Sequence, residues 1–353
     1  PNSLAANSTR GRMNQAFSEP VFRAGGQSFD WRDVILCAHL AGRWQPALEV
    51  IAEGVAGLGV IEDRIDPELE DAVDAAAAEF RYDRELITAE ETEAWLAARG
   101  VEVAAWLGSV RRAVLRERLE GLDERRQAFP PSKKAIERAA LVDLQCTTLG
   151  QELAEFCAGQ VAGALAAGLS ADAGSPPVDA SEPLPPGVDP EHTAARGSYF
   201  ACVAAAVERL RESILKHDTL KRATDGHQLE WVRLACRTVT FAEEPEAREA
   251  ALCLREDGED LATVAAEAHL EVEDCEFFIE ELAPDLQTLF LSARSGDVIG
   301  PVASDQGQTV YQVVTKRIPA SSDPEVPDRA AGWVMQRALA NEMVGRIEWV
   351  VQW

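Results

Sequence analysis

The sequence predicts an α+β fold: a helical N-terminal module, then a mixed domain of strand, helices and antiparallel hairpin, then a C-terminal helix and strand. Three features carry this expectation. Apolar residues recur at helical spacing through most of residues 28–169. The segment HQLEWVRLACRTVTF ends in a strand-like run over 232–241, and FLSARSGDVIGPVASDQGQTVYQVVTKR (290–317) holds two more such runs around Gly-containing turns. Ser295-Gly296-Asp297 makes the first of those turns and Asp305 with Gly307 the second, so the two runs read as a hairpin.

From the start, residues 1–19 read as disordered. Residues 20–24 form a short strand ending at Gly25-Gly26, and a helix then starts from Ser28 or Asp30 as N-cap, with Trp31, Val34, Ile35 and Ala38 on one face. Gly42 ends it. Pro46 opens the next helix, with Leu48, Ile51, Val55 and Leu58 in phase up to Gly59. Asp66-Pro67 starts another, carrying Leu69, Val73, Ala76 and Phe80. Thr88 and Glu91 make a capping box, and Gly100 closes the helix that follows. Trp106, Val110 and Leu115 line a helix over 102–126. Pro130-Pro131 breaks it, and Ser132 caps a further helix running to about 169.

Residues 170–194 are rich in Pro, Ser, Asp and Gly and read as a linker. A connecting helix is expected over 195–227. The mixed domain spans 228–318, with helices from Pro245 to Gly258 and over 259–268 between its first strand and the hairpin. In the segment 319–353, a helix from Arg329 to Gly345 precedes a strand over 347–352, and this strand is expected to pair with 20–24.

Composition narrows the partners. Among 353 residues, 60 acidic against 34 basic side chains give a net charge of −26, which opposes binding to a nucleic-acid backbone or an anionic membrane. Seven cysteines, an odd number with no CxxC pair, match thiol usage in a reducing cytoplasm. No apolar run approaches the ~18 residues of a membrane span, and the N-terminal stretch lacks a signal-peptide core. Pro1 in place of Met leaves room for an upstream segment.

Two stretches resemble known families. "GDVIGPV…G…YQVV.KR" resembles the closing hairpin of parvulin-type peptidyl-prolyl isomerase domains, and the order strand, helix, helix, hairpin extends the likeness over 228–317. "IDPELEDAVDAAAAEFRYDRELITAEETEAWLAARGVEV" resembles the helical N-module of SurA-type chaperones. It is closer still to the parvulin-related proteins of bacterial systems that mature ribosomally synthesised, post-translationally modified peptides, the crocagin-type peptide-binding proteins among them. In SurA-type proteins the C-terminal segment returns to the N-module, so the resemblance implies the same here.

The resemblance also implies a site. Parvulins place one histidine in the first strand, a second in the last, and a Cys or Asp near the cleft. Aligned on the family's "ARHILVK", this chain has Arg237 at the first position, or Cys236 with a one-residue slip. Thr309 stands at the second, and Glu271 to Phe278 replaces the usual Ser- and Gly-rich segment. The domain therefore reads as a degenerate isomerase that keeps a peptide-holding sheet. Arg237, Phe277, Phe278, Phe290, Thr309 and Tyr311 are the expected peptide-binding residues, with Leu289 beside them.

No catalytic residue is specified. Glu273 or Glu276 is an acid beside the cleft with the chemistry of a general base. The five histidines (His39, His192, His217, His227 and His269) show no metal-ligand spacing, so neither metal nor other cofactor is expected. The expected function is cytoplasmic binding of a precursor peptide, with other maturation enzymes as further partners. The rivals are an enzyme acting on the held peptide, as a cyclase or residual prolyl isomerase, and a general holdase.

Overall fold

A computed structural model of the chain describes residues 17–61, 67–118, 127, 130–169, 185, 188–304, 307–320 and 323–351. The expectations for residues 1–16, Asp66, 119–126, 170–184 and Asp305 lie outside these. The fold is α+β, with two antiparallel sheets among many helices. Two compact units divide it, 1–211 with 338–353 and 212–337.

In the first unit, β1 (Pro20–Ala24) and β2 (Gln27–Asp30) form a hairpin through Gly25 and Gly26, both at positive φ. The sequence reading missed β2, a short polar run that pairing alone makes a strand. Phe22 and Phe29 face each other across the hairpin with stacked rings 4.7 Å apart. On the other side of β1 lies β7 (Glu348–Trp349), with Phe22 opposite Trp349 and Arg23 opposite Glu348. The expected joining of the N- and C-terminal strands is present, though β7 is shorter than the run foreseen.

Asp30 caps α1 (Trp31–Leu40) in a reciprocal box with Asp33. Then come α2 (Trp44–Ile61), which runs through Gly59 instead of ending there, α3 (Pro67–Asp83), α4 (Ala89–Ala98) and α5 (Val103–Arg118). The Thr88 box at the head of α4 forms as expected. A core of Leu69, Val73, Leu96, Trp106, Val110 and Leu115 joins α3 to α5.

The single helix expected over 133–169 is two, α6 (Lys133–Cys146) and α7 (Thr148–Ala166). Thr147 is extended and donates its hydroxyl back to the Asp143 carbonyl at 2.7 Å. Gly150 is required at this break, because a Cβ there would stand 1.9 Å from the Leu144 carbonyl oxygen. Small residues of α7, among them Ala154, Cys157, Ala158 and Ala162, are fully buried and let α1 approach closely. The next helix, α8 (Pro190–Ile214), starts five residues before the expected 195, because Asp189 caps it, accepting from the His192 N–H at 2.7 Å. A break at Leu215 and Lys216 separates it from α9 (His217–Gly226), so the connecting segment is two helices.

The second unit is built on β3 (Arg233–Phe241). It is followed by α10 (Glu244–Leu252), a π-helical turn over Cys253–Asp257, and α11 (Leu261–Glu267). Next come β4 (Glu273–Phe278), a 3-10 turn, α12 (Pro284–Ser292), and the hairpin of β5 (Val298–Ser304) and β6 (Gly307–Arg317). Neither β4 nor α12 was foreseen. The antiparallel order is β4-β3-β6-β5. Alternation along β3 sends Val239 and Phe241 towards α10 and α11, and Leu234 and Cys236 to the opposite face, where Phe290 of α12 packs. Finally α13 (Val326–Met343) carries the chain across the division between the units. No helix among the described residues is long and apolar enough to cross a membrane.

Candidate functional site

The site residues expected from the sequence divide between the two faces of the β4-β3-β6-β5 sheet. Phe277, Phe290 and Tyr311 come together on the α12 face, with Phe290 centred 5.4 Å from Phe277 and 5.3 Å from Tyr311, both edge-on. Phe290 is core at 1% exposure, whereas Phe277 and Tyr311 are half-buried and Leu289 is exposed at the rim. Thr309 lies on the same face, buried, its hydroxyl 3.0 Å from that of Thr240.

Arg237 and Phe278 do not belong to this face. Arg237 shares the parity of Val239 and Phe241, and its guanidinium lies 3.7 Å from Asp260 at the head of α11. Phe278 packs with Trp231, Val326 and Ala330, under the guanidinium of Arg329 at 3.8 Å. Side chains alternate along a strand, so Arg237 cannot share a cleft with Thr309 and Tyr311. The alternative alignment, slipped by one residue, gives Cys236, which lies on the same face as Tyr311.

Cys236 stands opposite Cys275 across β3 and β4, with the two thiols in hydrogen-bonding reach. Donation to its neighbour, with burial, raises the pKa of Cys236. The same bond received by Cys275 holds that thiol below its ordinary value. The pair therefore keeps its last proton on Cys236. Burial, together with the thiols nearby, raises the Tyr311 pKa, so its hydroxyl stays protonated at neutral pH. This face offers aromatic surface, a dithiol and a threonine pair, and no histidine. All seven cysteines of the chain are free thiols.

The two edges of this sheet differ. Along β5, Arg255 of the π-helical turn donates to the carbonyls of Val298 at 3.2 Å and Gly300 at 2.6 Å, while Pro301 and a register shift between Ile299 and Val302 break the ladder. Along β4 only the inner side is paired among the described residues, with β3. On the sheet face opposite α12, Trp231, Arg233, Phe278, Arg317, Pro319 and Val326 line a small hollow of about 70 Å³.

One cluster escaped the sequence reading because its members lie about 160 positions apart. Asp33, 3% exposed, accepts from Arg196 Nε at 2.8 Å and Nη2 at 2.9 Å, and lies 3.1 Å from His192 Nε2. Asp30, His192 and Asp33 bring possible ligand atoms within 4.8 Å of one another. A metal does not fit this chemistry. Arg196 occupies both Asp33 oxygens and Arg32 holds Asp30, so two guanidinium groups already balance the two carboxylates. Arg196 also donates to Gln27 and Ser28 and lies over the Phe29 ring, tying α8 to β2 and the head of α1. No protein-family model matches the chain, and no curated protein matches its sequence.

Proposed function

We propose that the protein binds a precursor peptide of a ribosomally synthesised, post-translationally modified product and presents it for modification by separate enzymes. The observation that carries this reading is the α12 face of the β4-β3-β6-β5 sheet. Phe277 and Tyr311 stand half-buried there over Cys236 and Cys275, with Thr309, hydrogen-bonded to Thr240, where the parvulin resemblance asks for the second histidine. A surface of this kind holds peptide side chains, and it lacks the two histidines of a parvulin site.

The energetics fit a releasable complex. Strand-like main-chain hydrogen bonds contribute a net ~0.5–1.5 kcal/mol each, and one or two apolar anchors ~1.5–3 kcal/mol each. Association and peptide ordering oppose them, leaving on the order of −8 kcal/mol, a micromolar affinity.

The test is calorimetric titration of the precursor peptide encoded beside the gene, with mass spectrometry of the peptide afterwards. Micromolar binding without a mass change is expected, weakened about tenfold or more by Phe277→Ala and by Tyr311→Ala. In a protease-coupled assay of prolyl isomerisation the rate should equal the uncatalysed one. Absence of binding, or isomerisation that is lost with Cys275→Ala, would overturn the reading.

A further inference from the structure

We infer that the free edge of β4 is the docking line, and that it takes an extended peptide segment alternating basic with apolar residues, added as a fifth, antiparallel strand. This rests on the peptide-binding reading above and gives it a place and a chemistry.

The register fixes which backbone groups are free. The Ile279 N–H donates to the Val232 carbonyl at 2.9 Å, which sets the phase of the β3–β4 ladder. Phe277, Cys275 and Glu273 therefore turn their N–H and C=O groups inward to Leu234, Cys236 and Thr238. Asp274, Glu276 and Phe278 turn theirs outward. The Phe278 N–H is capped by its own neighbour, the Glu281 carboxylate at 3.0 Å. Among the described residues, Asp274 and Glu276 are left with two N–H and two C=O groups pointing outward at the sheet's edge, and both residues are exposed. The opposite edge is closed by the Arg255 clamp and Pro301, so an added strand has one place to go.

Side-chain alternation then specifies the guest. The Asp274 and Glu276 side chains lie on one face of β4, and Cys275 and Phe277 on the other. Arg233 and Arg237 lie on the acidic face; Arg233 is shared between Glu276 and Glu325 and Arg237 lies beside Asp260, so neither guanidinium is given over to Asp274. Cross-strand neighbours share a face, so residues directly opposite Asp274 and Glu276 gain from positive charge, and those beside Phe277 gain from apolar surface. The sheet is wholly antiparallel, the stronger ladder, and the guest strand continues it. In that geometry the basic residues are also the ones whose amides bond to the edge.

Backbone methylation therefore separates the two sets of guest residues. The probe is an acetylated, amidated hexapeptide alternating lysine and valine, titrated into the full chain by calorimetry at low salt. N-methylation of the lysine amides should weaken binding about tenfold or more, while N-methylation of the valine amides should leave it unchanged. The glutamate–valine counterpart should not bind. Asp274→Lys and Glu276→Lys, both exposed changes checked for folding by circular dichroism, should weaken the lysine–valine peptide, and added salt should do the same.

Failure of the lysine–valine peptide to bind, or equal loss from methylating either set, overturns the inference. So does a dimer in sedimentation, which would show a second copy on the edge. If the precursor peptide binds wild type, Asp274→Lys and Glu276→Lys alike, the edge is wrong while the peptide-binding reading stands. If it fails to bind wild type, the reading itself falls.

Discussion

Truncating Asp33 to alanine should unfold the first unit far more readily than any surface change. The side chain is 3% exposed and accepts from both Arg196 nitrogens at 2.8 and 2.9 Å and from the Asp30 N–H at 3.2 Å. Losing its share of the capping box costs about 1 kcal/mol. Leaving the half-buried Arg196 without its partner costs more, because breaking a buried ion pair from one side is worth roughly 3–5 kcal/mol. With a urea dependence of about 3 kcal/mol per molar for a unit of this size, the midpoint should fall by about 1.3–2 M. The two compact units need not unfold together, so the assay should report on the first alone, through hydrogen exchange of peptides from residues 20–40. The double change Asp33→Leu with Arg196→Met removes both charges and should be milder than Asp33→Ala. A shift under about 0.5 kcal/mol for Asp33→Ala, the size of an exposed pair, would refute the clasp.

Three further outcomes follow from the geometry. Cys275, held below the ordinary thiol value of 9.0 by the bond from Cys236, should be alkylated by iodoacetamide before Cys236 and Cys146; its rate should rise with pH and level off below 9, as peptide mapping would show. Gly307→Ala should cost about 1–3 kcal/mol or more, read by thermal melting, because φ is +132° and a Cβ would stand 2.2 Å from the Phe241 carbonyl oxygen; an unchanged melting temperature contradicts this. Deleting 346–353 removes the Phe22–Trp349 contact at 5.7 Å and the bonds of Val350 and Val351 to the Val21 carbonyl, and should destabilise the first unit by about 1–3 kcal/mol; no change would mean that β7 adds nothing.

What the sequence made legible was local. Caps at Asp30, Thr88 and Ser132, the β3 run and the hairpin are each specified by a few neighbouring residues with a defined physical role. Asp189-Pro190 was just as good a start signal, hidden in proline-rich surroundings. The acidic β4 was obscured because Glu and Asp disfavour strands, although Cys275 and Phe277 alternate correctly. The break at Thr147 depends on Gly150 meeting Leu144, a contact with no periodicity to announce it. The division of the expected residues between two faces has a different origin. Whether Arg237 or Cys236 faces Tyr311 is a matter of register between strands, and one residue exchanges the faces. The Asp33 clasp joins residues about 160 positions apart and left no local trace.

The pairing of β1 with β7 bears on how the protein is made. The second unit, 212–337, is an insertion in the first, and β1 waits for a strand from the far side of that insertion: 325 positions separate Arg23 from Glu348. During synthesis the N-terminal sheet therefore stays one strand short while the inserted unit emerges and completes its own. The order of synthesis and the order of completion are reversed: the sheet begun before the inserted unit is sealed only after it. A ribosome stalled between the two units leaves the Phe22 edge of β1 exposed, where a chaperone or a stray strand can reach it.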